Sequence, residues 1–90
     1  MSQFCTKTLT SLLEEAKIRA LRDGHNVAIT IDGALLKTDR HRPDQVPERL
    51  GILQYYEHLN DNQPGVVLCT YSDQVREAWR TVRDGAPSAV

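Results

Sequence analysis

Long apolar stretches, paired cysteines and an excess of charge of one sign are all missing from this 90-residue sequence. Its longest uninterrupted apolar run, Val66 to Cys69, is far shorter than the roughly 20 residues of a membrane-spanning helix. Residues 1–7 lack the features of a secretory signal, so we expect a cytoplasmic protein. Cys5 and Cys69 show neither metal-binding nor redox spacing, and we interpret both as free thiols in a reducing compartment.

The overall charge and composition are those of an ordinary globular protein. Eleven Lys and Arg residues are balanced by twelve Asp and Glu residues, and 40% of the chain is apolar. These values exclude gross disorder and a strongly basic packaging protein. The length predicts one domain over residues 1–90, with frayed ends at residues 1–7 and 85–90. A domain of this size has a small core, which favours additional stabilisation by a partner or by self-association.

The spacing of apolar residues predicts three helices and three strands. Helical stripes occur over residues 8–22, 47–59 and 73–83, and β-branched or apolar runs mark strands at 27–31, 34–38 and 66–71. Asp32-Gly33 predicts a two-residue type I′ turn that joins the first two strands as a hairpin. The proline-containing segment 39–47 and the polar cluster 60–65 are predicted to be loops.

Residues that start and end helices flank these segments. Thr8 or Thr10 is expected to cap the first helix, and Gly24 supplies the left-handed residue that ends it. Ser72 is the expected N-cap of the third helix. That helix carries Trp79, the only tryptophan, on a continuous apolar face, so Trp79 is predicted to be the largest core residue.

The resulting order, α-β-β-α-β-α, predicts an α+β fold, or a small α/β fold, in which helices pack on one small sheet. The strand at 66–71 shows no alternation of apolar and polar residues, so we expect it in the centre of the sheet with both faces covered. The second helix has an apolar arc wider than a single sheet-facing stripe, so two neighbouring elements are expected to cover it.

One segment resembles a known catalytic motif. Residues 29–36 are similar to the first motif of haloacid-dehalogenase-like phosphatases, a strand ending in Asp-x-Asp-Gly-Thr-Leu, and the similarity continues weakly to the strand ending at Thr70. This resemblance implies a degenerate or minimal phosphohydrolase that uses Asp32 as general acid and base. Thr30 occupies the position of that family's nucleophilic aspartate, and Ala34 replaces the threonine of the motif. We therefore prefer a hairpin turn as the interpretation of this segment.

No catalytic or metal-binding set is complete in the sequence. His25, His41 and His58 form no His-x-x-x-His pair and have no neighbouring cysteine, so we predict neither a metal nor a cofactor. The common phosphate-binding, dinucleotide-binding and serine-hydrolase motifs are missing. The sequence therefore favours a binding protein over an enzyme.

Two sets of residues are candidates for binding. Five apolar side chains exceed what one inner face per helix requires and are predicted to contact a partner, in the simplest case a second copy: Ile18, Leu21, Ile52, Tyr55 and Leu59. Seven basic residues are candidate contacts for an anion or a nucleic acid: Lys37, Arg40, Arg42, Arg49, Arg76, Arg80 and Arg83. Acidic residues alternate with these basic ones, which favours a solvated, salt-bridged surface.

The sequence thus predicts a small non-enzymatic module with a regulatory or inhibitory role that acts by protein–protein association. Nucleic-acid binding through the arginine-rich surfaces is the alternative, and the phosphohydrolase ranks last. No membrane partner is expected.

Overall fold

A computed structural model of the chain describes residues 6–38 and 48–83. Its elements follow in the order α1 (Thr6–Asp23), β1 (Asn26–Thr30), β2 (Leu35–Thr38), β3 (Arg49–Asn60), β4 (Gln63–Cys69) and α2 (Asp73–Arg83). All paired strands are antiparallel, and the sheet order is β2-β1-β3-β4. The prediction of an α+β fold with helices packed on one small sheet is confirmed.

Both helices pack on the same face of the sheet. The apolar stripe of α1 is fully buried at Leu13, Ala16 and Ala20. It meets sheet residues such as Leu53 in one continuous cluster, and burial of this apolar surface is the main force that holds the layers together. Neither described helix combines the length and the apolarity needed to cross a bilayer.

Helix α2 has the bounds predicted from the sequence. Ser72 Oγ accepts a hydrogen bond from the Val75 N–H at 3.3 Å, which confirms Ser72 as the N-cap. The face predicted to be apolar is buried at Val75, Ala78, Trp79 and Val82. Trp79 is 6% exposed and is therefore a core residue, as expected.

Helix α1 begins two residues earlier than predicted, so Thr8 and Thr10 lie inside it and the segment expected to be frayed is helical from Thr6. At its other end Gly24 has a φ of 68°, and its N–H donates to the Ala20 carbonyl at 2.8 Å. The predicted left-handed helix end is confirmed. The expected frayed end at 85–90 and the predicted loop at 39–47 lie outside the described residues.

The second predicted helix, residues 47–59, is wrong: residues 49–59 lie in strand β3, and the order of the described elements is α-β-β-β-β-α. Leu53 faces the helices and is completely buried, whereas its neighbour Ile52 faces the opposite side of the sheet and is 2% exposed. When apolar side chains lie on both sides of a strand, the sequence shows the same wide distribution of apolar residues as a helix covered by two neighbours. The β-branched and aromatic residues in this segment suit a strand.

The strand predicted at residues 66–71 is present up to Cys69, whereas Thr70 and Tyr71 lie beyond it and its predicted central position is wrong. It belongs to β4, which lies at the edge of the sheet. Val66 and Leu68 share the helix-facing side with Tyr55 and Leu53, their partners in β3. Val67 is on the opposite face and is 38% exposed. The run lacks alternation because an apolar residue stands at an exposed position.

Two tight turns connect the hairpins. Asp61 and Asn62 have φ angles of 50° and 68°, which a two-residue type I′ turn requires, so the loop predicted at 60–65 is only these two residues. In the β1–β2 hairpin, Gly33 has a φ of 89° and its N–H donates to the Thr30 carbonyl at 3.0 Å. The predicted hairpin is confirmed, but four residues, Ile31 to Ala34, separate its strands, and a turn with a single left-handed residue, Gly33, replaces the two-residue type I′ turn.

Asn26, the first residue of β1, forms a side-chain hydrogen bond to the middle of β3. Its side chain is 3% exposed, and Oδ1 accepts a hydrogen bond from the Tyr55 N–H at 2.8 Å. We expect Asn26→Ala to lower the free energy of unfolding by about 1 to 3 kcal/mol, because it removes the acceptor of a partly buried backbone donor. Urea denaturation would measure this change. A loss no larger than that of the neighbouring exposed variant His25→Ala would contradict the structural role of Asn26.

Candidate functional site

Strand β4 is an edge strand with little protection against pairing. Natural proteins commonly protect such edges with charged side chains, prolines or very short strands. The opposite edge, β2, follows this rule because it has four residues and carries Lys37. Strand β4 has seven residues and no charged side chain, and its protective features, Pro64 and the irregular pairing with β3 opposite it, are confined to its start. Of the two sheet edges in the described chain, β4 is therefore the one suited to accept another strand.

The backbone groups of β4 that face outward can be identified from the register. The Tyr55 N–H points toward β1, where it meets Asn26, so the backbone of the next residue, Gln54, points toward β4. Gln54 pairs with Val67, which therefore directs its own N–H and carbonyl toward β3. Because these directions alternate along a strand, Val66 and Leu68 direct their N–H and carbonyl groups away from the sheet.

A groove with a volume of about 530 Å³ runs between β4 and α2. From α2 it is lined by Arg76, Trp79 and Arg83, which share one helix face because they are three and four residues apart. Helix α1 contributes Lys17 and Leu21. The other lining residues are Leu59 and Asn60 at the end of β3 and residues 64–68 of β4. The groove therefore lies directly beside the outward-facing backbone of β4.

The end of the groove is shaped by an irregularity in the β3–β4 pairing. Tyr56 pairs with Gly65 and Asn60 pairs with Gln63, so three residues of β3 lie opposite Pro64 alone. In this bulge Leu59 lies against Gly65: a Cβ atom on Gly65 would be 2.6 Å from Leu59 Cδ2. A larger residue at position 65 would therefore displace the side chain of Leu59, which lines the groove.

The groove is positively charged. Lys17, Arg76 and Arg83 line it, and no described residue of its lining carries a carboxylate. Lys17 Nζ donates to the Val82 carbonyl at 3.3 Å, which places its ammonium group near the last turn of α2. Arg76 donates to the Thr70 carbonyl at 2.8 Å, so its guanidinium is held at the junction of β4 and α2. These two cations are therefore positioned by the fold.

The five residues predicted to contact a partner do not form one surface. Leu21 and Leu59 both line the groove, and Tyr55 packs on the core from the helix-facing side of β3. Ile18 is 56% exposed on α1 outside the groove lining. Ile52 is buried on the opposite face of the sheet. The partner surface stays a prediction, and the structure brings together only two of its members.

The predicted basic residues are also dispersed. Arg76 and Arg83 line the groove, whereas Arg80 points elsewhere on α2 and lies 3.6 Å from a carboxylate oxygen of Glu77. Arg49 lines a separate cleft at the end of the sheet, and Lys37 is on the far edge strand. Arg40 and Arg42 lie outside the described residues. The groove thus combines two members of the basic set with two of the apolar set.

The structure places Asp32 in the turn of the β1–β2 hairpin. Its carboxylate accepts a hydrogen bond from the Thr30 hydroxyl, and the same hydroxyl accepts the Ala34 N–H at 2.8 Å. These hydrogen bonds give Asp32 a role in stabilising the turn. In the part of the chain that the structure describes, no three His, Cys, Asp or Glu side chains come together as a metal site requires.

Sequence reasoning missed the groove because it treated β4 as a central strand. The contribution of Lys17 and the position of Trp79 beside an open edge also depend on how the elements are arranged. One signal was present in the sequence, namely the complete lack of charge between residues 63 and 69. In an edge strand this lack of charge is unusual, whereas in a central strand it is expected.

Function must be argued from this geometry and chemistry. Comparisons of the chain with protein-family models, with curated proteins and with solved structures found no match. The edge strand β4 and the adjoining groove are therefore the features on which we base a functional proposal.

Proposed function

We propose that this chain is a module that acts by protein–protein association, with regulatory or inhibitory consequences for its partner, and that the partner docks on β4. The observation that carries this proposal is an uncharged edge strand beside a groove built by α2. An extended segment that adds to a sheet edge gains backbone hydrogen bonds, and a neighbouring groove takes its alternate side chains.

The groove has the parts that this mode of binding needs. Val66 and Leu68 supply outward N–H and carbonyl groups, and their side chains turn toward the helices on the same side as Trp79. A docked strand would therefore place every second side chain over the groove. Leu21 and Leu59 give the groove apolar walls for those side chains.

A displayed library of random peptides, panned on the immobilised chain, would test the proposal. We expect enrichment of peptides with alternating apolar residues. Leu68→Pro should weaken the enriched peptides about tenfold, because it removes an outward N–H and places the proline ring at the edge. Dissociation constants from fluorescence anisotropy would measure the effect, with circular dichroism confirming the fold of each variant.

Leu68→Ala is the matched control for this experiment. It also shortens the partly buried side chain of Leu68 but keeps the backbone N–H. Equal weakening by the two substitutions would show that the edge is not used. A library that yields no enriched sequence would refute strand addition as the function.

Nucleic-acid binding is the second candidate, and one observation favours it. Tyr71 is 99% exposed at the rim of a second cleft that is also lined by Arg49 and Arg76, and an exposed aromatic ring beside arginines can stack on bases. Titration with an oligonucleotide at several salt concentrations would test it, because phosphate contacts give a steep dependence of affinity on salt. No binding at low salt would eliminate this candidate.

A further inference from the structure

We infer that the segment which occupies the groove is an extended, carboxylate-bearing strand of another polypeptide, added to the sheet as a fifth strand beside β4. This inference rests on the proposed function and specifies the chemistry of the partner. It follows from the charge of the groove, from the spacing of its cations and from the composition of β4 itself.

The positive charge of the groove favours a negatively charged partner. Three cationic side chains, Lys17, Arg76 and Arg83, border the path that a strand beside β4 would take, and the described lining of the groove contains no Asp or Glu. Although Asp73 pairs with Arg76, its side chain is 93% exposed and is not part of the lining. A partner with carboxylates on one face would meet complementary charge along this path.

The spacing of the cations indicates how the carboxylates are arranged. Arg76 and Arg83 are two helical turns apart, which corresponds to roughly 10 Å along α2. Side chains on one face of a strand repeat at every second residue, or roughly every 7 Å. Two carboxylates that are two or four residues apart in an extended segment can therefore each reach one of these flexible arginines.

A second copy of this chain is a poorer occupant of the groove. In a two-fold pairing of β4 with β4, each groove would receive a strand that has no carboxylate, because residues 63–69 carry no charge. The same pairing would bring the cations of both copies close together at the shared interface, where like charges repel. An acidic strand from a different polypeptide avoids both problems.

Two synthetic peptides of about eight residues test this inference, since that length spans the whole of β4. One alternates Glu with Val, and the other alternates Gln with Val, so that only the charge differs. Trp79 lines the groove and is the only tryptophan, so its intrinsic fluorescence reports occupancy directly. We expect the Glu-Val peptide to bind at least about fivefold more tightly at low salt, with the difference shrinking as salt rises.

Two arginines of α2 provide a matched pair of variants. Arg83→Glu should weaken the Glu-Val peptide by about fivefold and leave the Gln-Val peptide unchanged, because Arg83 lines the groove. Arg80→Glu reverses the same charge on the same helix outside the groove lining and should change neither affinity. Both residues are exposed, so neither substitution is expected to unfold the chain.

The outcomes separate this inference from the proposed function. Equal affinity for the two peptides, with no effect of Arg83→Glu, would overturn the acidic partner and leave strand addition intact. Failure of both peptides to bind, with no enrichment from the random library, would overturn both. Sedimentation velocity that shows concentration-dependent dimers, abolished by Leu68→Pro and retained in Leu68→Ala, would replace the acidic partner with a second copy.

Discussion

Trp79→Ala is expected to lower the free energy of unfolding by roughly 3 to 5 kcal/mol, because it removes the largest side chain that α2 contributes to the core. Trp79 is 6% exposed and belongs to the cluster in which α1, α2 and the sheet meet. Small domains have stabilities of about 5 to 15 kcal/mol, so this loss would populate the unfolded state substantially. Guanidinium denaturation followed by circular dichroism would measure it.

The control for this prediction is Ile18→Ala on α1. Ile18 is also apolar but is 56% exposed, so its truncation should shift the unfolding midpoint very little. If Trp79→Ala melted within a few degrees of the wild type, α2 would not be part of the folded core. Trp79 lines the groove as well as the core, so its alanine variant would change packing and partner binding together and serves only as a test of packing.

Leu53→Ala should be nearly as damaging, with an expected loss of about 2 to 5 kcal/mol. Leu53 is completely buried at the centre of β3, where it pairs with Val27 of β1 on one side and with Leu68 of β4 on the other. Its removal leaves a cavity under α1 that the surrounding strands cannot close without breaking their register. Urea denaturation would measure the change.

Tyr56→Ala is the matched control in the same strand. Tyr56 is 45% exposed, and its substitution should cost much less than the substitution of Leu53. Equal losses at the two positions would mean that β3 does not bury one face against the helices. The comparison therefore tests directly the strand that replaces the predicted second helix.

Local signals in the sequence predicted most of the two described helices. Helix α2 could be predicted because one residue, Ser72, supplies its cap and four apolar residues repeat at helical spacing. Helix α1 could be predicted from its apolar stripe and from Gly24, which ends it, but its start lies two residues before the predicted one. These features depend on residues that are close in sequence, so they need no knowledge of the tertiary fold.

The middle of the chain could not be predicted in the same way. Strand β3 buries Ile52 on one side and Leu53 on the other, and such a pattern has no period of two for a sequence to display. The edge position of β4 depends on which strands pair, and pairing is a long-range property. The groove could therefore not be predicted from the sequence. Four of its lining residues are nevertheless among the predicted partner or anion contacts, namely Leu21, Leu59, Arg76 and Arg83.

The contact between the two helices bears on how the domain folds. Lys17 and Val82 are joined by a hydrogen bond across 65 residues of sequence, whereas the hairpins join neighbouring strands through four residues and two residues. Hairpins form in roughly 1 to 10 μs, and closure of a long chain segment is slower. We therefore expect the two hairpins to form before the helical layer that covers them is complete. In such a partly folded chain the uncharged β4 edge and the side chain of Val66 would be open to other chains, so we expect refolding at high protein concentration to compete with aggregation through β4.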